Sequence, residues 1–207
     1  MKLVIFKYFM NYLAHTYLSG DDYNIAIGNF IADSVKGREY KNYPALWQKG
    51  ILLHRFIDSY TDSHLIFKNH SKIFFDSHRH YSRVLIDLFY DHLLAKNWDK
   101  YNSISLSQFS KEFYNKLLLN KEHLPSKIKY LLKYMIRDDW FTSYSTLEGL
   151  KKILTLMEAR TAYPSMLSNS LDKFVKHSTR IESQFFIFFE DIQKAVKNKL
   201  LNIPSEI

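Results

Sequence analysis

Apolar residues recur along this chain at the three-to-four-residue spacing of helices that face a core, and no stretch alternates cleanly with period two. Asp21 or Asp22 is placed to cap a segment running to about Val35 and closed by Gly37. Asn42 and Pro44 open a helix that continues to about Asp62. Further helices are predicted over roughly Ser82–Asn97, from Ser105 or Ser107 to about Asn120, and from Pro125 to about Arg137. Ser145 with Glu148 reads as a capping box ahead of "GLKKILTLMEA". Pro164 precedes a last long helix, roughly Asn169–Lys199, whose apolar set is Leu171, Phe174, Val175, Ile181, Phe185 and Phe189. The expectation is an all-α bundle of about seven helices, one domain spanning residues 1–207.

Two of these apolar helices carry polar interruptions. In "GILLHRFIDSYTDSH", residues 50–64, His54, Asp58 and Asp62 fall on one stripe with Trp47 and Ile51, because residues four apart share a helix face. In "VLIDLFYDHLLAKNW", residues 84–98, every position to Ala95 is apolar or aromatic except Asp87, Asp91 and His92. Burying an unpaired carboxylate is costly, so these groups must meet a cation, a partner or a wet cleft. "GNFIADSVKG" adds Asp33 near the end of an apolar run, and "MNYLAHTYLS" adds Asn11 and His15, again four apart. Gly28, Gly37 and Gly50 flank the polar segments, where glycine would permit a close backbone approach to a ligand. Each group has an ordinary alternative. A lone His54 fits a core histidine, Asp58 can pair with Arg55 or Lys49, and Asp87 and Asp91 can pair with Arg83 and Lys96. Together, on the most apolar helices of the chain, they fit a shared Asp/His site better. Imidazole and carboxylate ligands without sulfur suit Mg²⁺, Mn²⁺ or Fe²⁺, and metal-assisted phosphoester hydrolysis follows as the reaction class.

Composition narrows the field. The chain is 46% hydrophobic and 16% aromatic with only five Gly and four Pro, which suits long helices around a sizeable core. It has no Cys, so disulfide frameworks and thiolate metal sites are excluded and a reducing, cytoplasmic setting fits. No apolar run is long enough for a membrane span, and the opening "MKLVIFKYFM" is too short in its apolar part for a signal peptide. The first nine residues read as an extension ahead of the motif, or Met10 is the start. Nine of thirteen Asp and seven of nine His precede residue 100, which locates the chemistry in the first half. The net charge of +8 arises mainly after residue 100 and favours an acidic partner. No Walker loop, dinucleotide fingerprint or zincin motif is present.

In order and spacing, "MNYLAH", "GNFIADSVKG", "GILLHRFIDSYTDSH", "IDLFYDHLLAKNW" and the later "DDWFTSY" with "LEGLKKILTLMEAR" resemble the acyl carrier protein phosphodiesterases. The resemblance implies an all-helical protein distantly related to HD phosphohydrolases. Its activity would remove 4′-phosphopantetheine from holo acyl carrier protein with a divalent metal, typically Mn²⁺. The family's motif positions carry over to His15, Asp33, His54, Asp58, Asp91 and His92. On that reading His54 and Asp58 are metal ligands, Asp33 with either Asp91 or His15 completes the shell, and His92 or His15 protonates the leaving serine oxygen. Arg55 and Lys36 pair with phosphate oxygens, Asn11 and Asn29 join Lys36 in binding substrate, and Asp62 and Asp87 orient the histidines. The implied partner is the acidic carrier, with no nucleic acid and no membrane. Lys173, Lys176 and Arg180 either dock that carrier or form an ordinary solvated face. The rival readings are a hydrolase of small phosphoesters using the same site and a non-catalytic helical binding protein.

Overall fold

The structure, a computed structural model, describes residues 12–159, 161 and 165–203. Asn11, Met10 and Arg160 lie outside the described residues, as does Pro164. The described chain forms ten α-helices joined by short 3₁₀ turns and loops, with no strand among the described residues. In order they are α1 (Tyr12–Leu18), α2 (Tyr23–Ile31), α3 (Ala45–Ser63), α4 (Leu65–His78) and α5 (Ser82–Lys96). There follow α6 (Leu106–Leu119), α7 (Ser126–Arg137), α8 (Trp140–Ser143), α9 (Leu147–Glu158) and α10 (Ser170–Asn202). The all-α expectation holds, and α1, α4 and α8 are additional to the helices expected.

The reason α4 escapes notice is chemical. Its buried face is Phe67, His70, Ser71, Phe74 and His78, a helical stripe that is more than half polar. His70 sits between the Tyr90 hydroxyl and Gln184 Oε1, both at 2.8 Å, so a histidine does the work of a core residue there. Its start is also disguised, because His64 ends α3 and caps α4 through Nδ1, which accepts from the Ile66 amide at 3.3 Å. Elsewhere Asp22 and Ser105 cap α2 and α6 as expected. The capping box ahead of α9 is displaced by one residue. Thr146 accepts from the Gly149 amide at 3.1 Å, while Glu148 pairs with Lys152 on the surface instead of reaching back. In α10 the buried series is Phe174, Ile181, Phe185, Phe188, Phe189, Ile192 and Val196, and Val175 is exposed.

The core is largely aromatic, with Phe89 stacked on Phe174 at 4.2 Å and Tyr90 packed against Phe67, Phe185 and Phe188. Its tightest joint is the crossing of α2 and α3. A Cβ on Gly28 would lie 2.1 Å from the Trp47 carbonyl oxygen, and one on Gly50 would lie 2.1 Å from that of Ile25. The two backbones therefore touch, which brings the residue after Gly28 within reach of the one a turn beyond Gly50. These glycines serve the approach of one helix to another, not the approach of a ligand expected from sequence.

Candidate metal centre

That crossing builds the site. His15 comes from α1, Asn29 from α2, Asp33 from the 3₁₀ turn at Ala32–Ser34, and His54 and Asp58 from successive turns of α3. The apolar run of α2 ends at Ile31, one turn earlier than expected, and the tighter turn carries Asp33 to the α3 side. His15 Nε2 is 3.3 Å from Asp58 Oδ1, His54 Nε2 is 3.2 Å from Asp58 Oδ2, and His54 Nε2 is also 3.5 Å from Asp33 Oδ1. The two imidazoles lie face to tilted face, with centroids 4.2 Å apart. Asp58 is the opening to solvent, its side chain 39% exposed, whereas both histidines and Asp33 are enclosed.

Electrostatically the centre attracts a cation. Burial alone would lower the pKa of His54, but Asp33 and Asp58 outweigh it and raise the value to about 9. Burial would raise that of Asp58, yet the facing His15 and His54 hold it well below the usual carboxylate range. The contacts are nonetheless unfinished. His15 Nε2, His54 Nε2 and Asp33 Oδ2 are buried without a well-formed hydrogen bond. Among the described residues, ligand atoms of His15, His54 and Asp58 all lie within 4.8 Å of one another. Buried polar atoms that converge without partners are what a bound cation satisfies, and an N₂O-type donor set with a further carboxylate nearby fits a divalent ion. The residues present thus fit a metal.

The remaining candidates are distributed differently. Asp91 accepts from the amides of Leu13 at 3.1 Å and Ala14 at 2.8 Å, so it anchors the start of α1 just before His15. Burial outweighs those two bonds and leaves its pKa at about 8. His92 turns the other way, its Nδ1 donating to the Tyr144 carbonyl at 2.7 Å and its ring edge-on to Phe174. Arg55 donates to the carbonyls of Gly37 at 2.8 Å and Val35 at 3.4 Å and lies over Tyr40, clamping the loop that follows Asp33. Lys36 is exposed on that loop. Asp62 pairs with Arg83 at 2.9 Å on the surface. Asp87 is buried, and burial with the surrounding carboxylates pushes its pKa well up. Neither of these acids supplies the hydrogen bonds that hold the histidine rings.

Those bonds come from Asn29, expected in substrate binding but fully buried behind the rings. Its Oδ1 lies 2.7 Å from His15 Nδ1 and 3.1 Å from His54 Nδ1. Its amide group meets the His15 carbonyl at 3.0 Å and Ser19 Oγ at 2.9 Å. Ser19 carried no signal in the sequence. Asn29 carried one, a full amide in the middle of "IAIGNFIA", where nothing else is polar.

Fold and site together define an all-helical protein with a half-enclosed histidine–carboxylate centre. A family model described as acyl carrier protein phosphodiesterase matches residues 10–192. The chain belongs to that family. Relatives named acyl carrier protein phosphodiesterase are similar over nearly their whole length. That of Yersinia pestis is 27% identical over 191 residues, 92% of this chain and 99% of the relative. That of Photorhabdus laumondii is 29% identical, covering 92% and 96%, and that of Serratia proteamaculans is 28% identical, covering 93% and 100%. No solved structure matches the chain. No helix among the described residues is long and apolar enough to cross a membrane.

Proposed function

We propose that this protein hydrolyses the phosphodiester joining 4′-phosphopantetheine to a serine of acyl carrier protein, giving the apo carrier and free 4′-phosphopantetheine. Family membership over most of the chain supports the substrate. The convergence of His15, His54 and Asp58 is the observation that carries the chemistry. His15, His54 and Asp58, with Asp33 beside them, would hold a divalent cation, Mn²⁺ by preference and Mg²⁺ or Fe²⁺ as alternatives. Such a cation supplies Lewis-acid stabilisation of charge on the phosphoryl oxygens and a nucleophile at neutral pH.

The chain's own residues do the rest. Asp58, the exposed member, places the reacting phosphorus at the solvent edge, where a carrier serine can reach it. The proton that His54 Nε2 holds between Asp33 and Asp58 gives way when a cation is bound, so loading releases protons. Arg55, by gripping the Val35 and Gly37 carbonyls, fixes the loop that follows Asp33 and carries Lys36. Lys36 is then free to meet phosphate oxygens. Water adds at phosphorus, the bond to the serine oxygen breaks, and that oxygen leaves with a proton. An acidic carrier is the partner, and the net charge of +8 would speed its encounter.

The test is intact-mass spectrometry of holo acyl carrier protein after incubation with this protein, with Mn²⁺ and with chelator. Metal-dependent loss of the phosphopantetheine mass is expected. Loss that persists undiminished in chelator would remove the metal, and no loss from folded protein with a cognate carrier would remove the activity.

A further inference from the structure

Two histidines face one carboxylate, and both lean on one side chain. The direction of those hydrogen bonds can be worked out from heavy atoms. The nitrogen end of the Asn29 amide must point at the His15 carbonyl, because a carbonyl oxygen only accepts, and that contact is 3.0 Å. The same nitrogen also meets Ser19 Oγ at 2.9 Å, and Ser19 Oγ in turn donates to the His15 carbonyl at 2.8 Å. Serine's only proton is thus committed, so its oxygen accepts from the amide. Both amide protons are used, the amide cannot be flipped, and Oδ1 is the atom that faces the rings.

An amide oxygen has two lone pairs and no proton. Each ring nitrogen in contact with it, His15 Nδ1 at 2.7 Å and His54 Nδ1 at 3.1 Å, must therefore carry the hydrogen. With Nδ1 committed to Asn29, Nε2 is the nitrogen that gives up its proton and stands bare once each ring is neutral. Both Nε2 atoms are the ones turned toward Asp58. We propose that Asn29 is the positioning residue of this centre: its single buried oxygen fixes the tautomer and the rotation of both histidines and so presents two nitrogen lone pairs to one cation. The inference rests on the metal reading given above for the identity of what is held. Its own content is the state of the two rings.

The fold enforces the arrangement. Asn29 follows Gly28, and a Cβ on Gly50 would lie 2.7 Å from the Asn29 backbone nitrogen, so the contact of α2 with α3 brings Asn29 within 3.1 Å of His54 Nδ1. His15 arrives from a third helix, its carbonyl accepting from the Asn29 side-chain amide. A shorter side chain would not reach both rings. A carboxylate would still accept from both rings but would lose both donated bonds and add a negative charge at a site with 0% exposure.

The experiment uses the full chain with ¹⁵N-labelled histidine. In metal-free wild-type protein above the His54 pKa of about 9, where the rings are neutral, two-bond ¹H–¹⁵N correlation spectra should show Nδ1 protonated and Nε2 bare on both His15 and His54. Either ring with a bare Nδ1 overturns the proposal, and this reading needs no variant to fold. Asn29→Leu removes the acceptor, and Mn²⁺ affinity by calorimetry should fall about 10–100-fold, the range for lost outer-shell partners. Asn29→Asp, which keeps an acceptor oxygen, should recover part of it. Mn²⁺ binding by folded Asn29→Leu within about twofold of wild type would overturn the proposal and leave the metal reading intact. Two protonated Nδ1 atoms in a wild type that binds no divalent cation would do the reverse.

Discussion

α3 and α5 carry nearly the same motif, carboxylates four apart and a histidine on an otherwise apolar helix, and they use it in opposite ways. On α5, Asp91 and His92 end on backbone. Asp91 is consumed by the amides of Leu13 and Ala14, and His92 by the carbonyl of Tyr144. On α3, His54 and Asp58 end on each other, on His15 and on Asp33, with nitrogen atoms left unsatisfied and one carboxylate open to solvent. A backbone partner is fixed once the chain has folded, so α5 uses its polar groups to hold other elements in place. Side chains that converge on a shared space retain unmet capacity, which a ligand can fill. Only the second arrangement has the free capacity a site needs. The first is what holds it: Asp91 pins the start of the short helix that delivers His15.

Asp58→Ala and Asp91→Ala should therefore fail differently. Loss of Asp58 takes away the exposed member of the centre, and hydrolysis of holo carrier should fall by about 10³-fold or more, the worth of several kcal/mol of charge stabilisation. Its melting temperature should move only a few degrees, since the side chain is 39% exposed. Loss of Asp91 strands two buried amides at roughly 1–3 kcal/mol each, and a chain of this size loses about 2–4 °C per kcal/mol. Residual folded Asp91→Ala should still bind Mn²⁺. If Asp58→Ala were the variant that melted early and Asp91→Ala the one that stayed folded without activity, the two helices would have exchanged roles.

Gly50→Ala probes the joint between these regions. The added Cβ would meet backbone at 2.1 Å, and backbone cannot turn aside as a side-chain tip can. Parting α2 from α3 should cost about 1–3 kcal/mol, at the upper end of that range, measured by denaturant midpoint. It should also weaken Mn²⁺ binding, because Asn29 moves with α2 while His54 stays on α3. The α5 bonds to Leu13, Ala14 and Tyr144 involve neither glycine. A loss of stability with unchanged metal affinity would mean that Asn29 follows the rings by some other route.

The helices were largely legible in the sequence because apolar spacing and caps such as Asp22 and Ser105 are local. α4 was not, since its inward stripe contains His70, Ser71 and His78, and only contacts with α5 and α10 make that face a core face. The site was legible as a set of types. His15, Asp33, His54 and Asp58 do converge, but Asp91 and His92, equal to them in pattern, do not join the cluster. Pattern reports which side chains are buried and polar. Which way an α5 side chain points depends on where α1 and Tyr144 lie, and that is settled by packing remote in sequence. Asn29 was expected to bind substrate, and its side-chain amide faces the two rings and the His15 carbonyl. That orientation depends on where α1 brings His15 and Ser19, which the local sequence does not report.

The smallest effect separates the helices by pH. Asp91 titrates at about 8 in the folded protein, raised by burial from an ordinary value near 3.8. Between those values the folded state holds a proton that the unfolded state has released. Stability contributed by this group is thus greatest at low pH and is lost as pH rises toward 8. Asp91→Asn cannot ionise. It keeps one acceptor for the Leu13 and Ala14 amides where the acid has two, so it should be less stable than wild type near pH 5. The gap should narrow steadily toward pH 8, because only wild type loses stability across the window. Asp87 is raised in part by Asp91 itself, so Asp91→Asn eases it and narrows the gap further as pH rises. Melting temperatures of the two proteins, in chelator at pH 5, 6.5 and 8, measure that gap. A gap constant with pH would mean that Asp91 is ionised throughout, held by its two amides as a carboxylate, and that α5 anchors α1 with a full charge.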